Sequence, residues 1–187
     1  MLFLASSSPR RSELLTKAGF EFTVEPASVN ETVLHGTPPM QVVEQLSTRK
    51  AQAVAKLHPA DTILAADTVV VLKGRILGKP KDEEAAKAML KLLSGNVHQV
   101  YTGYTVIKGK KFVCGHEVTS VEFYALTPEE IDEYVATGEP LDKAGSYGIQ
   151  GKGALFVKRI NGDFYNIMGL PIAKIKRILN SMKSDEE

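Results

Sequence analysis

The chain of 187 residues predicts an α/β fold, and three observations carry that prediction. Strand-like and helix-like segments alternate along much of its length. The stretch TILAADTVVVL, from Thr62 to Leu72, is an apolar run bounded by turn signals. It reads as a strand covered on both faces, although periodicity alone also fits a buried helix. Stretches such as SSSPRRSELLTKAG and TPEEIDEYVATG carry the start and stop chemistry of helices. No long Pro/Gly/Ser linker divides the chain, so one domain over residues 1–187 is expected. Composition is that of a soluble globular protein, 43% hydrophobic and 24% charged. A formal charge of +1 argues against extended nucleic-acid binding. Cys114 is the only cysteine, which excludes an internal disulfide and a cysteine-based zinc site. MLFLA is too short for a secretory core, and no apolar run approaches membrane-spanning length. No membrane partner and a cytoplasmic location are therefore expected.

In chain order, Leu2 to Ala5 is a short strand. Ser8 is placed to cap a helix, Pro9 suits its first position and Gly19 can end it. Arg10 and Arg11 lie in the first turn, where the helix dipole is already positive and a cation is unfavourable by up to about 1 kcal/mol. They are either solvated or paired with an anion, which the hydroxyls of Ser6, Ser7 and Ser8 would help to hold. A strand at Phe22 to Val24 leads into the loop PASVNETVLHGTPP, where Glu31 by itself is a solvated carboxylate. Thr37 then reads as the cap of a helix through about Leu57. Its apolar stripe runs Val43, Leu46, Lys50, Val54, Leu57. A lysine in that stripe either snorkels to water or points its ammonium into a charged pocket. Arg49, one step round the helix, reads as a surface residue.

Asp67 is the one charge in the apolar run. Burying a lone carboxylate is costly unless it is paired or bound to a cation. It is either a turn-forming residue at a strand end or a reactive group. Lys73-Gly74 turns the chain back from Val71 to Ile76, and Lys79 follows, constrained between Gly78 and Pro80. A helix from Asp82 to Leu93 stops at Gly95. Val97 to Ile107 and Phe112 to Phe123 form a long hairpin, with His98 and His116 structural. Thr127 caps the next helix, with Glu129 and Glu130 in its first turn. EPLDKAGSYGIQGKGALFV carries Gly145, Gly148, Gly151 and Gly153, able to bring backbone close to a ligand, but it fails the P-loop and dinucleotide spacings. A strand at Ala154 to Ile160, an Asn161-Gly162 turn and a strand from Phe164 predict a hairpin. Pro171 to Met182 closes the chain as an amphipathic helix, and the terminal SDEE is expected to fray.

Carboxylates together with substrate phosphates commonly hold Mg²⁺, and Lys and Arg stabilise charge on phosphoryl oxygens. A strand-borne carboxylate, a loop carboxylate, two oddly placed lysines and a serine- and arginine-bearing helix start thus suggest phosphoryl or nucleotidyl chemistry. Val69 replaces the second aspartate that a haloacid-dehalogenase-type phosphatase requires, and no esterase nucleophile elbow is present. The residues by themselves lead to a nucleotide- or phosphate-handling enzyme.

Beyond that, LASSSPRR, the Glu31 loop, RKAQAVA, AADTVV, LGKP, LSG, DKAGSYGIQGKGALFV and the final GLP resemble the Maf family of nucleoside triphosphate pyrophosphatases. The resemblance runs from Leu4 to about Leu179. It implies the α/β fold of inosine triphosphate pyrophosphatases, with a long curved sheet and a cleft between two lobes. It implies cleavage of a nucleoside triphosphate between its α and β phosphates with a divalent metal, Mg²⁺ or Mn²⁺. By the same resemblance Asp67 matches the proton acceptor, Glu31 a carboxylate near the metal, and Lys50 and Lys79 the active-site lysines. Whether Asp67 is base, metal ligand or both stays open, so Glu31 and Asp67 are the expected metal ligands. Ser6 and Arg11 match the phosphate-facing loop. Arg10, Thr68 and Gln150 match the dTTP/UTP branch, where the 7-methyl-GTP branch carries Trp, Gln and Glu; modified uridine triphosphates fit as well. The family is also linked to inhibition of septum formation. The rival reading is a non-catalytic nucleotide-sensing or protein-binding regulator of cell division. A homodimer is an option that the residues do not decide.

Overall fold

A computed structural model describes residues 1–182, so the terminal SDEE lies outside the described residues. The chain forms strands β1 (Leu2–Leu4), β2 (Thr23–Val24), β3 (Thr62–Leu72), β4 (Arg75–Leu77), β5 (Val97–Lys108), β6 (Lys111–Phe123) and β7 (Val157–Asn161). Its helices are α1 (Pro9–Lys17), α2 (Pro39–Ala55), α3 (Glu83–Leu93), α4 (Pro128–Val135), α5 (Phe164–Ile167) and α6 (Ile172–Ser181). The strands make one open seven-stranded sheet in the order β2-β1-β3-β5-β6-β7, with β4 paired to β3. It is mixed: β1 runs parallel to β2 and β3, whereas β4 and β7 are antiparallel to their neighbours. Two compact units divide the chain, with boundaries inside β3, β5 and β6 and a fourth between Met168 and Gly169. No described helix is long and apolar enough to cross a membrane.

The first unit comprises Met1–Asp67, Thr102–Glu117 and, among the described residues, 169–182. Phe3 of β1, Ala5 just beyond it, and Ile63 and Ala65 of β3 meet Ala51 and Val54 of α2 in a buried cluster. Small residues let α2 lie unusually close to β5. A Cβ on Gly103 would sit 2.3 Å from the Val43 carbonyl, and the hydroxyls of Ser47 and Thr105 meet at 3.0 Å. The obstacle is backbone, which cannot swing aside. Gly103→Ala is therefore expected to cost about 1–3 kcal/mol through helix displacement. A lowered urea midpoint at unchanged slope would register it, and an unchanged midpoint would contradict it.

Helix α2 begins one residue later than its sequence suggests. Pro38 and Pro39 start it, while Thr37 donates its hydroxyl to the Leu34 carbonyl and closes the preceding turn. Leu57 lies beyond the helix and is exposed, so the buried stripe ends at Val54. Ser8 occupies the cap position of α1 without a side-chain cap bond; its own N–H donates to Ser6 Oγ.

The second unit comprises Thr68–Tyr101 and Val118–Met168. Here β3 and β4 pair Val71 with Ile76 through the two-residue turn at Lys73-Gly74, both at positive φ, which suits the twist of a hairpin. Asp82 accepts from the Ala85 N–H to cap α3, and Thr127 with Glu130 forms a reciprocal capping box on α4. The hairpin expected around Asn161-Gly162 does not form. The chain from Lys152 to Phe156 is a 3₁₀ turn, and only Val157–Asn161 is a strand, paired with β6. Asp163 then accepts from the Tyr165 N–H and starts the short helix α5. A side-chain cap two residues after the strand outcompetes the turn signal.

Aromatic rings fill this unit. His98, Phe123, Tyr147, Phe156 and Tyr134 meet edge to face, and His98 Nε2 lies 2.8 Å from the Tyr147 hydroxyl. Burial pulls His98 from its ordinary 6.5 down to about 4. Because the unfolded chain takes up that proton first, the neutral ring's contribution is complete above pH 6.5 and is lost as pH falls towards 4. The loss is on the order of 3 kcal/mol. Urea unfolding across that window should show a steeper decline for the wild type than for His98→Gln; parallel profiles would refute the assignment.

Candidate active site

Lys50 is the residue around which the first unit's chemistry gathers. It extends from α2 beside the buried Ala51, and only 13% of its side chain is exposed. Its ammonium does not snorkel to water. It donates to Asp67 Oδ1 at 2.6 Å and pairs with Glu31 Oε1 at 2.7 Å. Asp67 is equally sheltered, with 14% of its side chain exposed, whereas Glu31 stands at 61%. One cation thus joins a sheltered strand carboxylate to an open loop carboxylate, and electrostatic interactions strengthen in such a partly dry setting.

The Glu31 loop has no regular structure, yet it is braced from both sides. Arg49 Nη1 donates to the carbonyls of Asn30 at 2.9 Å and Thr32 at 2.7 Å. Asn30 Oδ1 accepts from the Thr32 N–H at 2.8 Å, a local turn across Glu31 itself. Arg49 therefore supports the site, a role that sequence reading assigned to no one. The only available hint was its place next to Lys50 on the same helix.

At the start of α1, Arg11 is buried rather than solvated. Its Nε donates to the Gly169 carbonyl at 2.8 Å and its Nη1 to Ser6 Oγ at 2.9 Å. Ser6 Oγ also accepts from the Ser8 N–H, at 3.2 Å. With both lone pairs engaged, the hydroxyl keeps its own proton as a donor for an incoming anion. Burial pulls Arg11 from 12.5 down to about 10; Asp67 opposes that shift, neighbouring Arg10 adds to it, and Glu31 opposes it more weakly. The guanidinium stays charged at neutral pH and feels both carboxylates, so the helix start and the Lys50 cluster act as one charged region.

Glu31, Lys50 and Asp67 are thus brought together, as are Ser6 and Arg11, with half-buried Arg10 alongside. Thr68, Lys79 and Gln150 belong to the second unit. Thr68 follows Asp67 in β3 and is half-buried. Lys79 is exposed and follows Gly78, whose carbonyl accepts from the Gly145 N–H at 3.1 Å. Gln150 is exposed on a tight turn that the Gly151 N–H closes onto the Gly148 carbonyl. His116 pairs with Glu44 and His98 lies among aromatic rings. Neither meets Glu31 or Asp67 in these contacts.

Among the described residues no group of three or more His, Cys, Asp or Glu side chains is gathered for a metal. The donors present are two hard carboxylate oxygens that already converge on one cationic centre. That set fits Mg²⁺ or Mn²⁺, which are usually held by one or two carboxylates with water and phosphate oxygens completing the shell.

Acidic oxygens beside a cationic helix start, on an open mixed sheet, define an α/β protein equipped to hold an anionic ligand. The chain belongs to the Maf family: the family model described as Maf-like protein matches residues 1–182. Curated relatives from several Bacillus species carry the name dTTP/UTP pyrophosphatase. That of Bacillus mycoides is 52% identical, covering 98% of this chain and 96% of its own. That of Bacillus cytotoxicus is 53% identical, with 97% and 95% covered. That of Bacillus pumilus is 49% identical, with 96% and 95% covered. Among solved structures, the Staphylococcus aureus Ham1 protein is similar in fold, with a TM-score of 0.51 at 17% identity. It covers 95% of this chain and 98% of its own.

Proposed function

We propose that this chain hydrolyses dTTP and UTP to the nucleoside monophosphate and pyrophosphate. The observation that carries the reading is the Lys50 ammonium held between Asp67 and Glu31, 2.6 and 2.7 Å from their oxygens. The names of well-covered relatives at about half identity supply the substrate class. Water attacks phosphorus, the bond to the oxygen bridging the α and β phosphates breaks, and pyrophosphate leaves with the electron pair. Asp67 takes the proton from the attacking water. Lys50 orients that carboxylate, and a general base so placed contributes about 10²–10⁴-fold. Arg11 and the Ser6 hydroxyl donate to phosphate oxygens, where charge builds as the bond breaks.

Lys79 adds a further cation on the phosphates, while Arg10, Thr68 and Gln150 select the base. A divalent cation, Mg²⁺ or Mn²⁺, would be held by Glu31 and Asp67 and would neutralise phosphate charge. The reading extends to a cytoplasmic location, with any part in septum formation secondary to the hydrolysis. Incubating the purified chain with dTTP, UTP, purine, 7-methyl-GTP and modified uridine triphosphates, with Mg²⁺ or Mn²⁺, tests it directly. Pyrophosphate should appear fastest from the pyrimidine substrates. None from any triphosphate would favour a non-catalytic regulator.

A further inference from the structure

In the second unit the segment 148–153 is wound around a single carboxylate. Glu139 Oε1 accepts from the Tyr134 hydroxyl at 2.9 Å, and Oε2 accepts from the Lys152 N–H at 3.1 Å. The Gly153 N–H reaches Oε1 at 3.5 Å, and the Tyr134 oxygen accepts from the Gly148 N–H at 3.0 Å. Both ends of the segment are therefore tied, directly or through one phenol, to Glu139. The approach is close enough that a side chain on Gly151 would push the carboxylate aside. A Cβ on Gly151 would lie 2.3 Å from Glu139 Oε1, and one on Gly148 would lie 3.1 Å from it. Lys143 Nζ donates to the Glu139 carbonyl at 2.7 Å and holds the backbone of Glu139 in turn. Between the tied ends, Ile149 is buried and Gln150 projects to the surface from the turn closed by Gly151 and Gly148.

We propose that Glu139 is the positioning residue for Gln150: its carboxylate fixes the 148–153 turn and through it sets which bases are admitted. The inference rests on the reading above, in which Gln150 faces the base. Hydrogen-bond selection of a base tolerates little displacement, because a polar group left unpaired penalises the right ligand as much as the wrong one. A carboxylate accepts on both oxygens, whereas the amide of Glu139→Gln presents N–H groups to one of the backbone donors. Tyr134→Phe instead removes the phenol that joins Gly148 to Glu139, and it keeps the ring packed against Phe156 at 4.9 Å.

The test uses the full chain and three measurements: kcat and KM on dTTP, UTP and dGTP, calorimetric binding of dTMP and dGMP, and thermal unfolding. In both variants KM for dTTP and UTP should rise about tenfold, with preference over dGTP falling by about the same factor and kcat little changed. The binding preference for dTMP over dGMP should fall in parallel, and the double variant should do little more than Glu139→Gln alone. Selective, active variants whose only change is a lower melting temperature would overturn the inference while leaving the proposed activity intact. A wild type that releases no pyrophosphate and binds no dTMP would overturn both. If Glu139→Gln does not fold, Tyr134→Phe decides by the same measurements.

Discussion

Asp67→Asn is expected to reduce pyrophosphate release by on the order of 10²–10⁴-fold without unfolding the protein. The amide keeps the size of the carboxyl and an oxygen for the Lys50 ammonium, which now lies 2.6 Å from Oδ1. What it loses is the capacity to take a proton from water. Single-turnover pyrophosphate release at saturating substrate would isolate the chemical step, and the melting temperature would establish that the fold persists. Turnover near the wild-type rate would remove Asp67 from the mechanism.

Lys50→Met should injure both chemistry and fold. Methionine nearly preserves the length of the lysine stem, so the change is confined to the charge. Asp67 and Glu31 would then face each other without the cation that joins them. Loss of an electrostatic partner of this kind costs about 10²–10³-fold in kcat. Asp67 is sheltered enough that losing its donor also costs about 1–3 kcal/mol of stability. The contrast between the variants is informative. Lys50→Met should lower the urea midpoint, and Asp67→Asn, which keeps an oxygen for the ammonium, should lower it less. Full activity in Lys50→Met would show that the bridge is structural alone.

Much of the fold was legible because several signals are local. The turn at Lys73-Gly74, the Asp82 cap and the Thr127–Glu130 box are each decided within four residues of chain. The meeting of Lys50 and Asp67 in the candidate site was legible where chemistry clashed with pattern, a carboxylate in an apolar strand and a lysine in an apolar stripe. Misreadings arose where two local signals competed. Thr37 looks like a cap, but two following prolines fix where α2 begins, and its hydroxyl turns back to Leu34. Asn161-Gly162 looks like a hairpin, but Asp163 starts a helix instead. Arg49 and Glu139 could not be found from sequence. Each is an ordinary surface-type residue whose role lies in which backbone groups it meets, 17 to 19 residues away for Arg49.

The bond from Arg11 to the carbonyl of Gly169 spans 158 residues. During synthesis, the guanidinium leaves the ribosome long before its acceptor exists. At roughly 5–20 residues per second the gap is on the order of ten seconds. A chain stalled before Gly169 would carry Asp67, Glu31 and Lys50 but would lack the acceptor that holds Arg11 Nε. Such a nascent fragment would not be a weaker version of the protein, because the corner around Arg11 would still be unassembled. Any activity towards triphosphates should therefore switch on late, with the emergence of one glycine carbonyl.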